Sequence, residues 1–259
     1  MLTPGDYGRL GIVKSLHITN DGTGEATVLA PTTDGFSVIA GTGDIVSLRG
    51  LVFDGQGNTQ GTGGHGIVLL SGTALHVQNC VIKNFNFSAA FGLIFAPAGN
   101  GQLFVSDSLI VNNGGSSASG GILILPRGGH ISVVLDRLHV ENNVDGLKID
   151  SSSFTGDAHV IVRDSMFSGN AGNGIHAVTA SGKGPAFALV ERSSMVNNLQ
   201  SGVLADGPGA TVLLKDNTIT RNGAGISAAN GGQLISYGNN TNNNNIGPEG
   251  APTNSLSQM

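Results

Sequence analysis

The sequence predicts an all-β chain wound as a single right-handed parallel β-helix of about eight to nine three-stranded coils, with little or no helix. Three observations carry that prediction. A motif of nine or ten residues recurs along most of the chain at intervals near 28 residues. A glycine followed by a short apolar stretch recurs between its copies. Finally, 42 glycines coexist with Val, Ile and Leu spread over the whole length, so the chain combines many bends with a continuous supply of core residues.

The motif reads V-Q-N-C-V-I-K-N-F from Val77, V-S-D-S-L-I-V-N-N from Val105 and V-L-D-R-L-H-V-E-N-N from Val134. It continues as V-R-D-S-M-F-S-G-N from Val162, V-E-R-S-S-M-V-N-N from Val190, L-K-D-N-T-I-T-R-N from Leu214 and I-S-Y-G-N-N-T-N-N from Ile235. Starts are 28, 29, 28, 28, 24 and 21 residues apart. A period of that size made of short strands marks a β-solenoid, whereas a propeller blade needs roughly 40 residues or more. Corresponding positions then stack about 4.8 Å apart. The stacks read as an asparagine ladder (Asn113, Asn142, Asn170, Asn198, Asn222, Asn243), a core ladder (Ile82, Ile110, Phe167, Met195, Ile219) and a small-residue stack (Cys80, Ser108, Ser165, Ser193). Cys80 therefore reads as a buried small side chain, since a reactive thiol needs an exposed, electropositive setting.

The glycine signature occurs at Gly66, Gly92, Gly121, Gly146, Gly174, Gly202 and Gly225. Strand alternation places Ile67, Leu93, Ile122, Leu147, Ile175, Val203 and Ile226 inward after it, with Leu69, Phe95, Ile124, Ile149, Ala177, Ala205 and Ala228 behind. The outward residues change character along the helix. Val68, Leu70, Ile94, Ala96, Leu123 and Leu125 form an apolar half; Lys148, Asp150, His176 and Asp206 form a polar half. A further outward column, Phe104, Val133, Ile161, Leu189 and Leu213, is apolar throughout. Apolar columns on a solvent face imply either self-association through residues such as Phe104, Leu123, Val133 and Ile161, or cover by loops and the C-terminal tail.

Lys148, Asp150, His176 and Asp206 fall on neighbouring coils and are the best candidates for chemistry. A carboxylate beside a Lys or His can serve as an acid/base pair in polysaccharide cleavage; the same residues could equally be a solvated face with weak ion pairs. Asp107, Asp136, Asp164 and Asp216, interrupted by Arg192, stack at a bend. They offer oxygens to Ca²⁺ or, as Asp habitually does, satisfy a turn. No other cofactor is implied. His65, in G-H-G, reads as a loop residue.

These coils resemble the bacterial right-handed β-helix repeats of the pectin-lyase-like superfamily. The stretch L-R-G-L-V-F-D-G-Q-G from Leu48, followed by G-I-V-L-L-S-G and V-Q-N-C-V-I-K-N-F, is similar to a group of its secreted members. The resemblance covers nearly the whole chain and implies the fold and a secreted or cell-surface location. It does not single out a chemistry, because the superfamily holds lyases, hydrolases, epimerases and proteins without known activity. G-H-G also occurs in polygalacturonases, but the Asp pair and Arg-Ile-Lys that accompany it there are missing here.

Relative to that group, residues 1–246 are expected to form one β-helix domain that begins directly in a strand, without an N-terminal cap. Residues 247–259 are expected to be a tail, disordered or pressed along the outside. No charged-then-apolar leader stands at Met1, so no signal peptide is expected. A net charge of -5 with scattered basic residues speaks against a nucleic-acid partner, and no apolar run reaches the length of a membrane span. Two functional classes remain. One is a non-catalytic secreted or surface protein acting in binding or self-association. The other is a polysaccharide lyase or glycoside hydrolase, disfavoured by the shortage of outward aromatic residues for sugar stacking.

Overall fold

A computed structural model describes residues 5–20, 22, 24–57 and 64–257. All regular structure among them is strand, arranged in three parallel sheets of ten, nine and ten strands. Each coil visits the sheets in the same order, so the nine-stranded second sheet counts nine successive coils. A representative coil runs through Leu109–Val111 in the first sheet, Gly120–Ile124 in the second and His130–Asp136 in the third. Among the described residues no helix is long and apolar enough to cross a membrane.

Two of the three bends are fixed by single residues in the left-handed conformation. Between the third and first sheets these are Asn79, Asp107, Arg137, Asp164, Arg192 and Asp216, with φ between 46° and 55°. After the first sheet they are Asn84, Asn112, Asn142, Gly169, Asn197, Arg221 and Asn244, with φ from 54° to 64°. Asn and Asp predominate because their short polar side chains tolerate positive φ better than other non-glycine residues. The third bend, between the second and third sheets, carries loops of variable length.

Side chains of the interior form one continuous core, from Ile12 and Phe53 through Ile82, Ile110, Val140, Phe167, Met195 and Ile219 to Leu234. Beside it runs a buried polar seam. Asn113, Asn143, Asn170, Asn198, Asn222 and Asn245 stack in successive coils. In each step an Oδ1 accepts the backbone N–H and the side-chain amide of the asparagine one coil earlier, as Asn170 does for Asn143 at 3.0 and 3.3 Å. The Nδ2 also reaches an earlier carbonyl, Asn170 donating to Val140 at 3.3 Å.

The glycine signature has its explanation here. A Cβ on Gly121, Gly146, Gly174 or Gly202 would lie 2.5–2.8 Å from the carbonyl oxygen of the following coil's glycine and 2.9–3.1 Å from a seam asparagine Nδ2. None of these four has a positive φ. They are glycines because two backbones and an amide meet there, not because the chain bends.

Several expected positions shift, mostly for one reason. The copy read from Val134 has ten letters for nine places, and Val105 pairs with Leu135, not Val134. Its extra residue belongs at the front. Asn143 therefore takes the ladder position expected of Asn142, which instead makes the left-handed bend. Val133 is buried at 1 % exposure and Val134 takes its place in the outward column. Asp136 lies in the strand, and Arg137 occupies the bend. In the last coil Asn222 bonds to Asn245 rather than to Asn243. Leu138 fills the place of a serine in the small-residue stack, where its N–H donates to Ser165 Oγ at 3.0 Å.

The outward faces also differ from expectation. Val68, Ile94 and Ala96 are buried, at 6 %, 8 % and 0 % exposure, in a second small cluster with Phe91, flanked by Leu70, Leu123 and Leu125. The apolar half of that face is thus packed in part within the chain itself, with Leu70, Leu123 and Leu125 still partly exposed. Phe104 and Ile161 remain the exposed members of the third-sheet column. Ala228, expected inside, is exposed on the terminal strand of the second sheet. Beyond Gly247 the chain continues over the last coil, where Pro248 and Glu249 accept the N–H groups of Gly225 and Ile226, and Asn254–Ser255 adds a tenth strand to the third sheet.

Candidate functional site

The second sheet carries a cleft of about 550 Å³ along its polar half. Its lining includes Ser116, Asp145, Lys148, Asn173, His176 and Gln200. Two of the four predicted site residues line it: Lys148 and His176 are Cα partners on adjacent coils. Asp150 adjoins them, its Oδ2 lying 3.2 Å from Lys148 Nζ. Asp206 does not join the group. Val178 stands between it and Asp150 in the strand register, a separation of two strand spacings, or about 9–10 Å. Its Oδ1 instead accepts the Asn230 amide at 2.7 Å.

The residue that sequence reasoning missed is Asp145. Corresponding strand positions hold Phe91, Gly120, Ser201 and Ala224, so a carboxylate there is the departure that could have flagged it. Its Oδ1 accepts the Asn173 N–H at 2.8 Å, and its Oδ2 lies 3.7 Å from His176 Nδ1. Asn173 in turn donates to Gln200 Oε1 at 3.2 Å and accepts the Ser201 N–H at 3.1 Å. These contacts fix Asp145, Asn173 and Gln200 as a polar wall spanning three coils.

His176 departs from that pattern. Both ring nitrogens are buried and neither has a hydrogen-bond partner. Buried polar atoms are satisfied in the great majority of cases; here Nδ1 has the Asp145 carboxylate at 3.7 Å, beyond hydrogen-bond range, and Nε2 has no hydrogen bond. Asp150 is a different kind of group. Burial alone would raise its pKa, but the Ser152 hydroxyl and N–H and the Lys148 ammonium outweigh that and hold the carboxyl below its ordinary value. It is an ionised acceptor at neutral pH, not a proton donor.

The other sequence candidates resolve into structural roles. Of the aspartate column, Asp107 accepts two bonds from Arg137 (2.6 and 3.0 Å), Asp164 two from Arg192 (2.9 and 3.0 Å), and Asp136 bonds to Arg137 and to Arg163 (2.9 Å). Asp216 is taken by Asn239. A Ca²⁺ ion there would have to displace guanidinium groups that already neutralise the carboxylates. His65 bridges coils: its N–H donates to Asp34 Oδ1 at 2.9 Å, and its Nδ1 accepts the Phe91 N–H at 3.1 Å. Burial lowers its pKa against the pull of Asp34, which suits a neutral ring acting as acceptor.

Cys80 is buried as expected, and burial pushes its thiol up to about 11, against hydrogen bonds from the Leu51, Gly50 and Gln78 backbone. A thiol with that pKa is under about one part in a hundred thiolate at pH 8. Iodoacetamide should therefore leave native protein unmodified for hours at pH 8 and label one site per chain in 8 M urea, read by intact mass. Labelling of the native form at the rate of a free peptide thiol would show the thiol to be accessible.

Comparison with known proteins bears on the fold. A family model described as "Right handed beta helix region" matches residues 153–253. No curated protein matches the chain. Among solved structures, the chain is similar to the Dettilon tailspike protein (gp208), with a TM-score of 0.41 and 11 % identity. That match covers 96 % of this chain and 61 % of the tailspike chain, so the chain spans about three-fifths of the length of that protein.

Proposed function

We propose that this β-helix is a non-catalytic binding protein whose cleft takes a hydroxyl-rich, uncharged saccharide. The observation that carries the reading is His176, buried in a polar cleft with both ring nitrogens unpartnered. Two ligand hydroxyls, one donating and one accepting, can satisfy the two nitrogens once the ring turns to present them to the cleft, which removes the cost of leaving them unmatched. Asp145, Asn173, Gln200 and Ser116 supply further acceptors and donors fixed by their own network. The cleft volume lies within the range of small-ligand sites.

The charge of the site argues for a neutral ligand. Two carboxylates stand there against one ammonium: Lys148 pairs with Asp150 at 3.2 Å, and Asp145 lies 3.7 Å from His176 Nδ1, so an acidic polymer would meet repulsion rather than capture. Asp150 does not suit the role of a hydrolytic acid. Glycoside hydrolysis needs one carboxyl kept protonated as an acid, and Asp150 is held in the opposite state.

Calorimetric titration against a panel of neutral and acidic oligosaccharides tests this. Binding to at least one neutral member is expected, weakened at least tenfold in His176→Ala and in Asp145→Asn. Phe104→Asp, on a different sheet, should bind as the parent does. Loss of the idea would follow from no binding to any neutral glycan, or from unchanged binding in both cleft variants. Release of reducing ends or unsaturated products that disappears in His176→Ala would overturn the non-catalytic part.

A further inference from the structure

On the outer face of the third sheet, away from the cleft, two histidines and a carboxylate converge on one point. His130 opens the strand His130–Asp136; Asp157 and His159 lie two residues apart in Asp157–Arg163, on the next coil. The register pairs His130 with Asp157 and Ser132 with His159. Spacing of two along a strand keeps side chains on one face, and parallel pairing sets the coils side by side. His130 Nδ1 lies 2.5 Å and His159 Nε2 3.6 Å from the same oxygen, Asp157 Oδ2. One potential ligand atom from each of the three residues lies within 4.8 Å of the others.

We propose that His130, Asp157 and His159 bind a divalent transition-metal ion of the zinc class, bridging two coils. Two imidazoles and one carboxylate are borderline nitrogen and oxygen donors, the set that zinc-like ions prefer and that Ca²⁺ and Mg²⁺, which favour oxygen, do not. With bonds of about 2.0–2.2 Å, ligand atoms of a tetrahedral site stand about 3.3–3.5 Å apart. The His159–Asp157 distance of 3.6 Å is close to that, the His130–Asp157 distance must open by about 1 Å, and the two imidazole nitrogens, within 4.8 Å of one another, must close by up to about 1.5 Å, within reach of exposed side chains. The surroundings orient the rings. Ser132 Oγ lies 3.2 Å from His130 Nε2, leaving Nδ1 to face the shared point, as supporting hydrogen bonds do in metal sites. Phe187, one coil further, packs on the His159 ring at 5.5 Å. The two imidazole rings themselves lie 5.0 Å apart. Three protein ligands leave the fourth position open to solvent.

The test is titration of chelator-treated full-length protein with ZnCl₂ at pH 7.5. One ion per chain is expected to bind with micromolar or tighter affinity, and to raise the melting temperature. Co²⁺ in its place should give the visible absorption of tetrahedral coordination. Asp157→Asn and His159→Ala should each weaken zinc binding at least tenfold. His139→Ala, at a surface histidine of the first sheet paired with Glu141, should leave it intact. All three side chains point outward, so circular dichroism of each variant should match the parent. No saturable zinc binding below about 100 µM, or parental affinity in both ligand variants, would overturn the site. The saccharide cleft lies on another sheet, so the fates of the two readings are separately visible.

Discussion

Replacing Asn170 by alanine should destabilise the protein by about 3–5 kcal/mol, a loss shared only with the other inner asparagines of the seam. Asn170 is fully buried and makes four bonds at once. Its Oδ1 accepts the Asn143 N–H and amide; its Nδ2 donates to Val140 O and, at 2.8 Å, to Asn198 Oδ1. Alanine leaves the Asn143 N–H and the Val140 carbonyl without those partners inside the core, at about 1–3 kcal/mol for each unmatched group. Asn142→Ala, one residue from the seam but exposed, should cost no more than about 1 kcal/mol, mainly from its left-handed backbone. Equilibrium urea unfolding followed by far-ultraviolet circular dichroism measures both, tryptophan fluorescence being absent in a chain with no Trp. If Asn170→Ala costs less than about 1 kcal/mol, the seam is not the structural spine described here.

Gly174→Ala should destabilise by about 3 kcal/mol although it adds a single methyl group. Its Cβ would stand 2.6 Å from Gly202 O, 2.9 Å from Asn198 Nδ2 and 3.3 Å from Met195 Cγ. The nearest of these is backbone locked in the next coil, so relief requires coils to part, and overpacking of a tight core costs about 1–3 kcal/mol or more. Gly99→Ala is the contrast: nothing lies within 4 Å of its Cβ and its φ is ordinary. That change should fall within about 0.5 kcal/mol of the parent. Equal effects at the two positions would mean that the glycine signature reflects chain bending after all.

Both predictions concern features whose presence was legible in the sequence and whose cause was not. The repeat announced the coils because a β-solenoid asks the same thing of the same position every turn: apolar at Ile82, Ile110 and Ile219, small at Cys80, Ser108 and Ser165, glycine at the head of the second-sheet strands from Gly66 to Gly225. Such periodic demands survive as periodic letters. What failed was counting where one copy carried an extra residue. Strand faces have a period of two, so a slip of one exchanged Val133 for Val134, Asn142 for Asn143 and Asp136 for Arg137 together.

The candidate site divides along the same line. Lys148, Asp150 and His176 were legible as neighbours because they share a face of strands whose register the repeat nearly fixes. Asp206 stands two strand spacings from Asp150, as the repeat implied, and what the repeat could not show is that the Asn230 amide engages it. Asp145 heads its strand at a position where the other coils carry no carboxylate, while Asn173 and Gln200 come from the irregular segments before their strands, where no periodicity constrains direction. His130, Asp157 and His159 meet only because a 27-residue separation closes to one strand spacing.

By itself, then, the sequence determined the class of fold, the coil path and the composition of the core, since each repeats a local requirement of stacking. Tertiary structure alone decided which glycines guard a close approach, how much of the apolar face is buried, and which histidine is left without a hydrogen bond. Those depend on distances between coils, and a distance of a few ångströms across a sheet corresponds to no fixed distance along the chain.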